Sequence, residues 1–251
     1  MNSPLLYAAG STPAFQIACR LLQQKGYRFA PEPAVSVTHI LLPVPSLDGK
    51  GIIKGGCEPD ALLQHFSRDI TVLGGNLDLL SSRGYSTIDL LKEESYLCEN
   101  AAITADCALR IARNALPCVL SGLPVVILGW GRIGKHLARL LQAIGAKVTV
   151  LLRNEKDQSL LQSMGYTAGS YQAAPALLSG CRLLFNTVPE VTLTAEALSV
   201  CCDCVKIDLA SKKGIPGEDV IWARGLPGTD APESSGRLIA KTIQRYLDRR
   251  Y

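Results

Sequence analysis

The residue types and spacing most suited to chemistry in this 251-residue sequence are three glycines. They stand in Gly129-Trp130-Gly131-Arg132-Ile133-Gly134, directly after the apolar run Val125-Val126-Ile127-Leu128 and directly before a helical pattern, Lys135 to Ile144. A strand, a glycine turn and a helix in that order give each glycine a task. Gly129 permits a tight turn, Gly131 lets the backbone approach a pyrophosphate, and Gly134 lets the helix pack closely on its strand. The helix start, with Arg132 and Ile133, offers N–H groups and partial positive charge to phosphates. The turn is expected to hold a dinucleotide.

The next apolar strand decides which one. Val148 to Leu152 ends in Arg153-Asn154, where NAD-binding sequences usually carry an acid for the ribose 2′-hydroxyl. An arginine there pairs with a 2′-phosphate, which favours NADP over NAD; a solvated surface arginine is the alternative. Two later strand ends should border the nicotinamide ribose, because ligands of such sheets bind beyond the carboxyl ends of strands. They are Asn186-Thr187-Val188-Pro189 and Asp208-Leu209-Ala210-Ser211, unless these are plain strand-terminating turns.

A general base for alcohol oxidation is usually histidine. The three here are His39, at the start of a strand, His65, on a surface helix, and His136, inside the helix after the glycine turn. None lies beyond the cofactor motif's helix, so the catalytic acid or base stays unassigned, with Asp208, Glu99 or water as candidates. Cys201, Cys202 and Cys204 contain a C-x-x-C, but it leads into the apolar strand Val205 to Leu209 and no second pair follows. Buried or half-buried thiols are expected there, and no metal site.

Positioning these residues requires an α/β chain of two domains. The expected fold class is a Rossmann-type doubly wound parallel sheet plus a smaller N-terminal α/β domain. The domains read as 1–98, an N-terminal substrate or partner domain; 99–120, a linking helix; 121–232, the dinucleotide-binding domain; and 233–251, a C-terminal helix able to pack back on the first domain. Strands are expected at Leu5–Ala8, His39–Val44, Ile70–Leu73, Val125–Leu128, Lys147–Leu152, Leu183–Asn186 and Val205–Leu209. Helices are expected at Ala14–Lys25, Asp60–Phe66, Glu99–Leu116 and Ser234–Leu247.

Composition agrees with this plan. Apolar residues make up 47% and aromatics only 6%, as expected for strands and helices packed through aliphatic side chains. The net charge of +4 is dispersed, which excludes a basic nucleic-acid surface. No run reaches the ~18 apolar residues that cross a bilayer, and Met1 to Leu6 lacks the basic start of a signal peptide, so the cytoplasm is the expected compartment. Nine cysteines without a disulfide rhythm fit that. A homo-oligomer is compatible with the sequence.

The chain resembles the family formed by the A subunits of bacterial dipicolinate synthase. The resemblance is carried by the glycine turn with Arg132, by Asp208-Leu209-Ala210-Ser211, by Gly225-Leu226-Pro227-Gly228, and by Ala231-Pro232 before the last helix. Weaker likeness covers His39 to Ser46 and Asn100 to Ala108. It departs at Gly10-Ser11-Thr12-Pro13 and at Lys212-Lys213-Gly214, where the family tends to have Gly-Asp-Arg and Pro-Gly-Gly. The resemblance implies nicotinamide-dependent oxidation of a dihydrodipicolinate-type precursor to dipicolinate, partnership with a flavoprotein-like B subunit, and a role in sporulation. A dicarboxylate substrate calls for cations, for which Lys50, Lys54 and Lys212 are candidates, with Ser46, Asn76, Asn100 and Thr104 as neutral orienting groups. Another dehydrogenase of the 2-hydroxyacid dehydrogenase or adenosylhomocysteinase type, or a nucleotide-binding subunit without chemistry, stays open.

Overall fold

The computed structural model describes residues 4–250. The reading of the N-terminus as leaderless rests partly on residues 1–3, which lie outside the described residues. The chain divides into two compact units, residues 1–100 with 227–251, and residues 101–226.

In the first unit, β1 (Leu5–Ala8), α1 (Pro13–Gln24), β2 (Arg28–Phe29), β3 (His39–Leu41), α2 (Pro59–Leu63), β4 (Thr71–Gly74), α3 (Asp78–Ser82) and β5 (Ser86–Asp89) follow in order. The strands form a parallel sheet in the order β2-β1-β3-β4-β5. This is the flavodoxin-like arrangement of a doubly wound sheet. Ile40, Leu42, Val72, Ile70, Leu77 and Ile53 form a buried cluster at its heart. A 3-10 turn, Leu90–Lys92, leads into α4 (Glu94–Ala115), whose residues belong first to this unit and then to the second.

The second unit continues with β6 (Pro124–Leu128), α5 (Arg132–Ala143), β7 (Lys147–Leu151), α6 (Glu155–Ser163), β8 (Thr167–Gly169), α7 (Ala174–Leu178), β9 (Leu183–Asn186), α8 (Ala195–Ser199), β10 (Val205–Asp208) and β11 (Val220–Trp222). Its six parallel strands lie in the order β11-β10-β9-β6-β7-β8. Renumbered within the unit this is 6-5-4-1-2-3, the Rossmann order, with the topological switch between β6 and β9. Val126 pairs with Thr149 on one side and Leu184 on the other. Leu183, Leu184 and Phe185 are wholly buried; burying each such side chain contributes about 2 kcal/mol. On α5, Gly134, Leu137, Ala138 and Leu141 are the buried residues, the spacing of one helical stripe.

A short helix, α9 (Leu226–Asp230), precedes the closing helix α10 (Pro232–Arg250). Within the first unit α10 packs along α1. Gly236 lets the backbones approach, since a Cβ there would lie 2.7 Å from the Ala14 carbonyl oxygen. Lys241 on α10 pairs with Glu99 at 2.8 Å.

Element bounds differ from the sequence reading in two systematic ways. The bridging helix begins at Glu94 rather than Glu99, because Asp89 caps the preceding 3-10 turn through the Leu91 amide and the chain is already turning there. Four strands escaped the sequence reading, β2, β5, β8 and β11, and these are the two edges of each sheet.

Candidate functional site: the glycine turn and the strand ends of the second unit

The end of β6 places Gly129 at φ +94°, a left-handed conformation that glycine adopts without strain. A side chain there would also strike Thr187 and Val188. At Gly134 an added Cβ would lie 2.4 Å from the Gly129 carbonyl oxygen, so α5 sits against the turn at a distance only glycine permits. Gly131 is different: its backbone is extended, and a Cβ would meet nothing within 4 Å. Gly131 is also the N-cap of α5 and provides no side chain to cap the first turn. A helix of twelve residues thus opens toward free space with its positive end. Arg132 and Ile133 form its first turn. The turn has room for a pyrophosphate and the polarity to hold one.

The strand ends beside it are fastened by buried polar groups. Thr187 Oγ1 donates to the Leu128 carbonyl at 2.8 Å and ties the end of β9 to that of β6. Asn186 is fully buried; its amide nitrogen donates to the Val188 carbonyl and to Asp208, and its oxygen accepts from the Val188 amide. Asp208, 0% exposed, accepts from Asn186 Nδ2 and from the amides of Ala210, Gly214 and Ile215 at 2.7–3.0 Å. With four donors on two oxygens its carboxylate has no position left for a proton from substrate. Its role is to anchor the loop 209–215, not to act as the base considered from sequence. Ala210 is held in turn by Trp222 Nε1 on its carbonyl at 3.1 Å. Gly214 fits beneath the turn after β9, where a Cβ would lie 2.6 Å from the Glu190 carbonyl oxygen. Pro189, Ser211 and Lys212 are exposed.

A concavity of about 230 Å³ lies where β6, β7 and β9 end, lined by Gly129, Trp130, Leu152, Arg153, Asn154, Asp157, Tyr171, Val188 and Glu190. Gly129, Arg153, Asn154 and Val188 were named from sequence, and the fold brings them together. The Asn154 side chain caps α6 by accepting from the Lys156 and Asp157 amides. Arg153 Nη1 meets Glu190 Oε1 at 2.9 Å, both side chains being more than half exposed. Burial raises the Tyr171 phenol above its ordinary value, with Arg153 pulling the other way. Trp130 stacks at a tilt on Tyr166, 6.0 Å between centroids, and Lys135 approaches its ring. Trp130, Asp157, Tyr171 and Glu190 were missed from sequence. Glu190 had a signal: it directly follows the named turn Thr187-Val188-Pro189.

The other candidates are distributed over both units. Ser46 is wholly buried in the first unit; its hydroxyl donates to the Pro43 carbonyl and accepts from the Gly75 amide, so it braces two loops. Asn76 adopts a left-handed φ of 59° beside it and is exposed, its amide bound to Asp89. Lys50 is exposed and Lys54 partly so. Asn100 lies on α4 within the first unit, and Thr104 is buried on the same helix within the second. Cys181, Cys201 and Cys204 are buried, with Cys181 and Cys204 sulfurs 3.6 Å apart, whereas Cys202, expected to be buried or half-buried with them, is exposed; all nine cysteines are free. Among the described residues no group of three or more His, Cys, Asp or Glu could hold a metal ion, and no helix is long and apolar enough to cross a membrane.

The strand order and the open glycine turn at its switch point make the second unit a Rossmann-type fold of the kind that binds dinucleotides. Residues 107–200 match the family "D-isomer specific 2-hydroxyacid dehydrogenase, NAD binding domain". Taken over its length, the chain is similar to the A subunit of dipicolinate synthase. It is 23% identical over 237 residues to that protein from Bacillus subtilis (strain 168), covering 86% of this chain and 79% of the relative. Among solved structures, the A subunit of dipicolinate synthase from Bacillus halodurans superposes with a TM-score of 0.83 at 22% identity, covering 98% of this chain and 97% of that one. Its counterpart from Bacillus subtilis gives 0.86 at 19%, covering 99% and 97%. The resemblance read from the motifs therefore holds in sequence and in fold.

Proposed function

We propose that the chain is an NAD(P)-dependent oxidoreductase that converts a dihydrodipicolinate-type dicarboxylate to dipicolinate. The observation that carries this reading is the open Gly131 turn at the uncapped start of α5. When bound, the nicotinamide supplies the acceptor for a hydride. The substrate gives up that hydride and one proton, and the gain of an aromatic ring favours the loss. In this reading Gly129, Gly131, Arg132, Ile133 and Gly134 hold the pyrophosphate. Thr187, Val188, Pro189, Ala210 and Ser211 border the ribose on the nicotinamide side, with Asp208 positioning them from below. Arg153 and Asn154 face the adenosine ribose, and the arginine favours NADP. In the second unit Lys212 is the candidate cation for a substrate carboxylate; Ser46, in the first unit, is not a direct ligand, because its hydroxyl is already engaged.

The partner in this reading is a flavoprotein-like dipicolinate synthase B subunit, in the cytoplasm, with the present chain free to form homo-oligomers. The test is to incubate the protein with a dihydrodipicolinate preparation and NAD⁺ or NADP⁺, alone and with a B subunit. Dipicolinate and reduced nicotinamide should appear in equal amounts. The engaged carboxylate of Asp208 favours one second reading, a nucleotide-binding subunit without chemistry, for which the same assay would show tight cofactor binding and no product.

A further inference from the structure

We propose that Glu190 is a specificity-determining residue that weakens the preference for a 2′-phosphorylated dinucleotide through its ion pair with Arg153. The proposal rests on the cofactor reading above and concerns the adenosine end of the same groove. Arg153 and Glu190 both line the concavity at the ends of β7 and β9, and they meet there at 2.9 Å. Arginine at this strand end would recruit a 2′-phosphate by hydrogen bonding two of its oxygens. Here one edge of the guanidinium already faces a carboxylate. A 2′-phosphate, with close to two negative charges, would have to share that guanidinium with Glu190 and lie near its charge. A ribose 2′-hydroxyl would face no such repulsion.

Glu190 is also held in place. Its carbonyl rests against Gly214, and the Gly214 amide is bound by Asp208. Residues 186–188 just before it are fixed by Asn186 and Thr187. The backbone that carries the carboxylate is therefore braced, and the ion pair with Arg153 is what brings its charge to the groove. Asp157 lines the same concavity and adds to the negative side. The arrangement combines one cation that attracts a 2′-phosphate with a neighbouring anion that opposes it.

The experiment is calorimetric titration of the full chain and of Glu190→Gln with two ligand pairs, NADP⁺ against NAD⁺ and 2′,5′-ADP against 5′-AMP. Glutamine keeps the length and the hydrogen bond to Arg153 and removes only the charge. The expected result is about tenfold tighter binding of NADP⁺ and 2′,5′-ADP, as expected for removing one nearby like charge at an exposed site, with NAD⁺ and 5′-AMP within about twofold. The gain should shrink in high salt, where exposed charges are screened. A gain shared equally by both members of each pair, no gain, or weaker NADP⁺ binding would overturn the proposal and leave the cofactor reading standing. If the unmutated chain binds none of the four ligands, the cofactor reading itself is overturned, and the proposal with it.

Discussion

The sheet of each unit opens in the same way, with a strand, a glycine turn and a twelve-residue helix, yet the two turns meet different fates. In the first unit the turn after β1 is filled by its own chain. A Cβ on Gly10 would lie 2.7 Å from the Lys54 carbonyl oxygen and 2.8 Å from Pro43, and Gly55 is pressed as closely against Ser11. The Ser11 amide donates to the Lys54 carbonyl, and Thr12 caps α1 through its hydroxyl. In the second unit Gly131 faces open space and no side chain caps α5. A glycine turn is therefore not in itself a binding site. What marks one is a turn whose glycine is extended, whose space is unfilled, and whose helix lacks the cap that sequence could easily have supplied.

The sharpest way to break this comparison is to place valine at both turns. Gly131→Val introduces a side chain into space at an ordinary φ, so it should cost only the roughly 1 kcal/mol by which valine is the poorer N-cap, while NAD⁺ and NADP⁺ binding falls by about a hundredfold or more, because the pyrophosphate can no longer approach the backbone. Gly10→Val forces a side chain onto φ +101° and into Pro43 and the Lys54 backbone, and should cost about 4 kcal/mol of folding stability. Chemical denaturation and calorimetry on the two variants would read both effects. Equal binding by the Gly131→Val variant would remove the second unit's claim to the cofactor.

A second parallel sharpens the contrast. Both units end a strand with a buried aspartate that gathers backbone amides: Asp89 takes those of Asn76, Leu77 and Leu91, and Asp208 those of Ala210, Gly214 and Ile215. Asp208 adds Asn186 and is the more deeply buried. Replacing either by asparagine turns an acceptor oxygen into a donor facing N–H groups. Asp208→Asn is expected to cost about 3 kcal/mol, and Asp89→Asn about 2 kcal/mol. Only Asp208→Asn should also weaken dinucleotide binding, by loosening the turn that carries Val188 and Glu190. If Asp89→Asn weakens it as much, the clamp in the second unit has no special link to the site.

Much of this was legible before the fold was seen, for a physical reason. Every interior strand of both sheets, from Leu5–Ala8 to Val205–Asp208, carries an apolar run, because strands flanked on both sides and covered by helices are largely buried or half-buried. The four unread strands are the sheet edges, where segments such as Ser86–Asp89 and Thr167–Gly169 keep polar or half-exposed residues and resemble loops. At the site, the glycines and Arg153 were readable because their tasks demand particular residue types. The commitment of Ser46 and Asp208 to backbone partners was not, because a buried hydroxyl or carboxylate looks in sequence like a catalytic one. Nor could sequence place Glu190 opposite Arg153, a pairing across 37 residues that the β7 and β9 strand ends create.

The smallest expected effect tests the idea at its root, that a ligand takes the place of a helix cap. Thr12→Ala removes the cap of α1, whose turn has no ligand to replace it, and should cost about 1 kcal/mol whether or not dinucleotide is present. Gly131→Ser supplies the cap that α5 lacks; serine and glycine differ by only a few tenths of a kcal/mol at such positions, so the ligand-free protein should be as stable or slightly more so. Yet the serine hydroxyl would occupy amides that phosphate should receive, and the rise in melting temperature on adding NAD⁺ should shrink. A bound ligand stabilises by RT ln(1 + [L]/Kd), so a modest loss of affinity shows directly as a smaller shift. If Gly131→Ser leaves that shift intact, the amides at the start of α5 are not where the pyrophosphate is held, and the difference between the two turns would need another cause.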